Sequence, residues 1–196
     1  VRNVPFLGSL KIRALLNNVG ELGEHFLEVG SHKGGSFCST VYGNHNLKSA
    51  TAVDSWESDH MNGDEAYPQF KENVKKFKPT WTKVNTIISD CFELPSESSA
   101  LQMGRYDIYG YDAGHSFNDQ KKALTYYKDL LAEEFIYLCD DWTYGDVKAG
   151  TYAGIQEGGF EILFEQELLN TTQGEDLHLN DEWWRGYYCA LLKKKK

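Results

Sequence analysis

Short apolar runs alternate with segments of helical period along this chain, and four of the runs end in aspartate. That alternation is the strongest constraint on the fold. Each parallel step in a sheet needs a crossover, so strand and helix in turn give a mostly parallel sheet with helices on both faces. The periods predict strands at Phe26–Val29, Ala50–Val53, Val84–Ile88, Tyr106–Tyr111, Phe135–Cys139, Phe160–Phe164 and Tyr187–Leu192. They predict helices at Leu7–Leu16, Ser36–Tyr42, Asp64–Phe77, Pro95–Met103, Asn118–Leu131 and Asp146–Glu157. Pro79 stops the third of these helices. Gly150 and Gly154 lower the propensity of the last one. A long acidic loop joins the final two strands. Ligands of such sheets bind beyond the carboxyl ends of the strands. Asp54, Asp90, Asp112, Asp140 and Asp141 all fall there, more acid at one sheet edge than structure alone requires.

The first strand runs into the segment His25-Phe26-Leu27-Glu28-Val29-Gly30-Ser31-His32-Lys33-Gly34-Gly35-Ser36-Phe37. This is a strand–turn–helix joint. Glycine removes Cβ atoms where a bound group would sit, and the free N–H groups of the helix start can face an anion or a polar group. The Gly-x-x-x-Gly spacing differs from the Gly-x-Gly-x-x-Gly of the dinucleotide fingerprint. Glu28, two residues before Gly30, can accept hydrogen bonds from a cationic or hydroxylated ligand. Asp54 follows roughly 20 residues beyond the loop, where a βαβ unit places an acid on ribose hydroxyls. A turn aspartate is the bland alternative for Asp54, and its pairing with the glycine loop favours the ribose reading.

A chain of 196 residues suits one domain with a sizeable core. The net charge of −9 argues against duplex nucleic acid as a general partner. Lys193 to Lys196 read as a frayed, solvated strand end rather than a basic patch. Cys38, Cys91, Cys139 and Cys189 lack Cys-x-x-Cys spacing, so no zinc knuckle or redox pair is expected. Three of them sit in apolar runs as core residues, which fits a reducing, cytoplasmic setting. No run of about 18 apolar residues and no signal-peptide pattern occurs, so no membrane partner is expected. The chain starts at Val1, which leaves a trimmed N-terminus open.

The ordered set of motifs resembles the class I S-adenosylmethionine-dependent methyltransferases from about Phe26 to Leu192. Glu28-Val29-Gly30-Ser31-His32-Lys33-Gly34-Gly35-Ser36 is similar to the cofactor loop of the small O-methyltransferase branch. Asp54 matches the ribose-binding acid, and Ser89-Asp90-Cys91 the segment beside the adenine. Tyr111-Asp112-Ala113-Gly114-His115-Ser116-Phe117 resembles an Asp-Gly-x-His-Ser-Tyr stretch of a bacterial and viral group. Phe135 to Trp142 resembles that group's apolar strand followed by Asp-Asp-aromatic. The resemblance implies an α/β, Rossmann-like, doubly wound seven-stranded sheet with its last strand antiparallel. It implies one methyltransferase domain over 1–196, with 1–24 as a helical cap. S-adenosylmethionine is then expected at Glu28, Gly30, Ser31, Gly34, Ser36, Asp54, Ser55, Asp90, Cys91 and Asp112. Two departures stand out: Tyr109 and Gly110 in the fourth strand where aliphatic residues are usual, and Ala132-Glu133-Glu134 without the usual Gly pair.

Methyl transfer to a hydroxyl needs a base, or a cation that lowers the hydroxyl pKa. Asp112, Asp140 and Asp141 offer hard oxygen ligands for Mg²⁺ or another divalent cation. In the alternative, Asp112 contacts the sulfonium cofactor and the other two cap the next helix. His115, three residues past Asp112, is either the catalytic base, working beside Asp112, or a loop brace. No residue in the sequence stands out as a partner to orient its imidazole. His32 reads as a loop-orienting side chain. Trp56, Trp142, Tyr144, Trp183 and Trp184 form either an apolar lid or a satellite core. The leading function is O-methylation of a small molecule, with a homodimer supplying further lid residues. A nicotinamide oxidoreductase and a cofactor-binding module without its own transfer are the alternatives. The glycine spacing and the absence of Tyr-x-x-x-Lys weigh against the oxidoreductase.

Overall fold

The computed structural model describes residues 1–57, 65–94, 105–170 and 182–195. Strands β1 (His25–Val29), β2 (Ser49–Asp54), β3 (Lys83–Ile88), β4 (Tyr106–Tyr111), β5 (Leu131–Cys139), β6 (Phe160–Leu168) and β7 (Tyr187–Lys194) form one sheet. Their spatial order is β3-β2-β1-β4-β5-β7-β6. β1 to β5 are parallel, and β7 runs antiparallel between β5 and β6. This is the Rossmann-like arrangement expected from the sequence.

Helices α1 (Leu10–Gly20), α2 (Gly35–Val41) and α3 (Ala66–Phe77) cover one face. Ile12, Leu16, Phe37, Val41 and Phe70 pack there on Phe26, Ala50, Ala52, Ile108 and Leu138. Helices α4 (Phe117–Tyr127) and α5 (Gly145–Glu157) cover the other. Ala123, Leu124, Tyr127, Val147 and Ile155 bury Leu27, Val29, Tyr109 and Tyr137. Each large apolar side chain so buried contributes about 1.5–3 kcal/mol. A Cβ on Gly150 would lie 2.4 Å from the Phe117 carbonyl, and one on Gly154 2.8 Å from that of Lys121. The two glycines that weaken α5 as an isolated helix therefore let α4 and α5 touch backbone to backbone. Tyr109 is accommodated in β4 because its hydroxyl donates to the Ala123 carbonyl at 3.0 Å.

Several boundaries differ from the sequence expectation. Ser9 caps the first helix by accepting from Ile12 N–H at 3.2 Å, so the helix starts at Leu10 and Leu7 lies outside it, exposed. α4 ends at Tyr127, a 3-10 turn spans Lys128–Leu130, and Leu131 opens β5 instead of closing the helix. β6 runs on to Leu168 because β7 pairs with it throughout. Lys193 and Lys194 are not frayed: both belong to β7, Lys193 pairs with Glu134, and Lys194 donates to the Leu131 carbonyl. Cys38 and Cys139 are buried and Cys91 and Cys189 half-buried, all as free thiols. The Pro95–Met103 helix, the Asp64 start of the third helix and most of the acidic loop lie outside the described residues. Among the described residues, no helix is long and apolar enough to cross a membrane.

Candidate active site

The register brings the strand tips level. Val29 pairs with Val53 on one side and Tyr111 on the other, and Tyr111 pairs with Cys139. Asp54, Asp112 and Asp140 therefore emerge side by side, with Gly30 among them. Gly30 has φ +90°, and a Cβ on it would lie 1.9 Å from the Asp112 carbonyl oxygen. Gly34 has φ +82°, with Phe70 3.0 Å from its Cβ position. At Gly35 the neighbours are the Pro5 carbonyl at 2.5 Å and Phe6. A side chain at any of the three would run into the protein's own β4 tip, α3 or N-terminal segment.

Asp54 ties two loops together. Its carboxylate accepts from His32 N–H at 2.8 Å and from Trp56 N–H at 2.9 Å, and Trp56 Nε1–H donates to the His32 carbonyl at 2.7 Å. Among the described residues, His32, Trp56, Asp141 and Trp184 are the non-glycine residues with positive φ. All four lie at or beside the strand tips, where strained backbone commonly marks function. Asp90 accepts from Phe92 N–H at 2.7 Å, and the Cys91 carbonyl accepts from the Tyr127 hydroxyl. Neither residue borders the cleft described next.

That cleft has a volume of about 660 Å³. Gly30, Ser31, Ser36, Asp54, Ser55 and Asp112 border it, as do Asp140, Asp141 and His115. Its other wall is Pro5-Phe6-Leu7 with Trp184 and Arg185. The N-terminal segment is fixed there by Arg13, which donates to the carbonyls of Val4 and Val1 and whose guanidinium lies 4.6 Å from the Phe6 ring centre. Glu28 and Gly34 do not border the cleft. Glu28 lies beneath it, against a void of about 10 Å³ shared with Ser36, Asp112 and Asp140.

At the cleft floor His115 Nε2 lies 2.8 Å from Asp141 Oδ2 and 4.0 Å from Asp112 Oδ1. One ligand atom from each of Asp112, His115 and Asp141 falls within 4.8 Å of the others. The sequence grouping of three aspartates is thus altered. Asp140 turns inward, where its Oδ1 accepts from Asp141 N–H at 2.8 Å, and His115 takes its place.

The chain matches a family described as a methyltransferase domain over residues 27–142, more than half its length. It belongs to that family. The protein is a methyltransferase by that match. Among solved structures, M. jannaschii TYW2 in complex with AdoMet aligns with TM-score 0.60 and 11% identity, over 95% of this chain and 76% of that one. The precorrin-6y C5,15-methyltransferase of Geobacter metallireducens aligns with TM-score 0.59 and 9% identity, over 99% and 93%. The B. subtilis M1A22 tRNA methyltransferase TrmK aligns with TM-score 0.58 and 14% identity, over 99% and 68%. At these identities the likeness shows the fold. No curated protein sequence matches the chain.

The methyltransferase carries unusual electrostatics at this edge. Burial pushes the Glu28 carboxyl up to about 8, against hydroxyls of Ser31 and Ser36 that pull it down. Its Oε2 has no hydrogen-bond partner among the described residues. Loss of solvent, then the Asp141 charge, raises Asp112 to about 6. Asp140 is held well above the carboxylate range by burial and by Asp112. His115 is raised above 6.5, chiefly by its hydrogen bond to Asp141. Three features escaped the sequence reading: Asp141 as the partner of His115, the Pro5–Leu7 wall, and Arg185. The Asp140-Asp141 pair was a signal for the first, while nothing local marks the other two. Of the five loop aromatics, Trp142 is core, fully buried and stacked on Tyr188 at 4.0 Å.

Proposed function

We propose that this methyltransferase moves a methyl group from S-adenosylmethionine to a hydroxyl of a small molecule, with His115 as general base. The observation that carries this reading is the 2.8 Å contact between His115 Nε2 and Asp141 Oδ2 beside the glycine loop. A base held by a third group is the arrangement that proton abstraction needs. The tautomer that donates Nε2–H to Asp141 leaves the lone pair on Nδ1, and that atom takes the acceptor's proton. The cofactor supplies an electrophilic methyl group on a positively charged sulfur. Gly30, Ser31, Gly34 and Ser36 form the loop proposed to hold it, with Asp54 and Ser55 toward the ribose and Asp90 and Cys91 toward the adenine. Glu28, beneath the loop, is read as a further contact to the cofactor, through an Oε2 with no hydrogen-bond partner among the described residues. The whole of 1–196 is read as one such domain.

Charge favours a small acceptor over a tRNA, although tRNA is the substrate named for one structural neighbour. The cleft presents Asp54, Asp112, Asp140 and Asp141 against Lys33 and Arg185, on a chain of net charge −9. Such a surface repels a phosphate backbone.

A second reading rests on the converging atoms of Asp112, His115 and Asp141. Two carboxylates and an imidazole fit a divalent cation, and the imidazole suits a transition metal better than Mg²⁺. Such an ion would lower the pKa of the acceptor hydroxyl. One experiment separates the two. Transfer of labelled methyl to a panel of hydroxylated acceptors is measured for wild type, for His115→Ala and in excess EDTA. The base reading expects a fall of roughly 10²–10⁴-fold in His115→Ala and no effect of EDTA. Full activity in His115→Ala rejects it, and loss in EDTA favours the cation.

A further inference from the structure

A second recess adjoins the cleft and shares His115, Asp141 and Arg185 with it. Its volume is about 410 Å³, and Tyr144, Gly145 and Asp146 complete its lining. Glycine-loop residues border only the cleft. The reacting groups of a methyl transfer must approach in line, from opposite sides of the methyl carbon. With the cofactor on the loop side, the recess offers an acceptor a place at His115 and Asp141 away from the glycine loop.

Its walls are flat. The Tyr144 ring lies 6.5 Å from the His115 ring at 47°, and the Arg185 guanidinium carbon lies 5.8 Å from the Tyr144 ring centre. The backbone fixes these groups, since Thr143 N–H donates to the Arg185 carbonyl at 2.9 Å and Trp142 N–H to that of Gly186 at 3.2 Å. A Cβ on Gly145 would meet nothing within 4 Å, so the recess lining is open at that position. Asp141 and Asp146 offset Arg185 and His115, so the recess has no surplus of positive charge for a phosphate or carboxylate. Arg185 already faces Asp141 Oδ1 at 3.7 Å.

We propose that this recess binds a neutral phenolic acceptor, its ring against Tyr144 and its hydroxyl at His115. The proposal rests on the base reading above and names the substrate class of that site. A phenol ionises near 10, as tyrosine does, whereas an alkanol, like water, ionises several units higher. An imidazole base therefore activates the phenol more readily. The O–H proton passes to His115, the oxygen pair forms the bond to the methyl carbon, and the carbon–sulfur bond breaks with its electron pair on sulfur.

Calorimetry on the enzyme loaded with S-adenosylhomocysteine tests this, using 4-ethylphenol, 4-ethylcyclohexanol and AMP as probes. The phenol should bind about 3- to 10-fold tighter than the cyclohexanol. Tyr144→Phe should keep that preference and Tyr144→Leu abolish it, with circular dichroism confirming that both variants fold. Equal binding of the two alcohols, a preference unmoved in Tyr144→Leu, or tighter binding of AMP overturns the proposal. Methyl transfer that needs His115 but shows no ring preference removes the phenolic site and leaves the base reading standing. A ring preference with transfer indifferent to His115 does the reverse.

Discussion

Replacing Glu28 with glutamine should flatten the pH dependence of folding stability. Glu28 is 3% exposed, one residue before the end of β1, and burial raises its pKa from 4.5 to about 8. The folded state therefore keeps a proton on Glu28 that the unfolded state loses above 4.5. Where the folded state binds more protons, stability falls as pH rises. The loss begins near pH 4.5 and is complete once pH passes about 8. At 1.36 kcal/mol per pKa unit, the cost reaches ~5 kcal/mol, a large part of an ordinary domain's total stability. Glutamine has nearly the same shape and no charge, so the Glu28→Gln variant should lack this drop. Urea unfolding of both proteins at pH 5, 7 and 9 measures it. Asp112 and Asp140 are raised too and add their own slope, so the difference between the two curves is the quantity that counts. The variant should gain on wild type by several kcal/mol between pH 5 and pH 9. Parallel curves would mean that Glu28 is not held protonated by burial and instead meets solvent or a cation.

Two further outcomes follow from the site. Asp141→Asn removes the main cause of the raised His115 pKa, so the acid limb of the pH–rate profile should shift down toward 6.5 while the maximal rate falls. A limb that stays put would deny the His115–Asp141 coupling. Gly30→Ala forces a Cβ to within 1.9 Å of the Asp112 carbonyl at φ +90°. It should cost about 2 kcal/mol or more in thermal unfolding, and a change within about 0.5 kcal/mol would contradict the geometry.

The sheet was largely legible because parallel crossovers impose the alternation of strand and helix. Boundaries slipped where a local cap or a neighbour decided them. Ser9 starts α1 three residues after Leu7, and pairing with β7 extends β6 to Leu168. The glycine loop was found by spacing, yet the contacts that demand glycine come from Pro5, Phe70 and Asp112, far apart in the chain. His115 was visible as a candidate. Its partner was not, because Asp141 rather than Asp140 turns toward it only through a positive-φ backbone that the Asp-Asp pair does not reveal. Tyr144 and Arg185 meet only after β7 folds back between β5 and β6.

Titration of S-adenosylmethionine into wild type and Asp54→Ala, with NAD as the control, reads the identity of the cofactor and the Asp54 contact together. Asp54 borders the cleft and already orders the loops at His32 and Trp56. S-adenosylmethionine should bind wild type one-to-one, NAD should give no heat, and Asp54→Ala should weaken the affinity about 10- to 100-fold. Binding of NAD in place of S-adenosylmethionine, or an affinity unchanged by Asp54→Ala, would contradict these assignments.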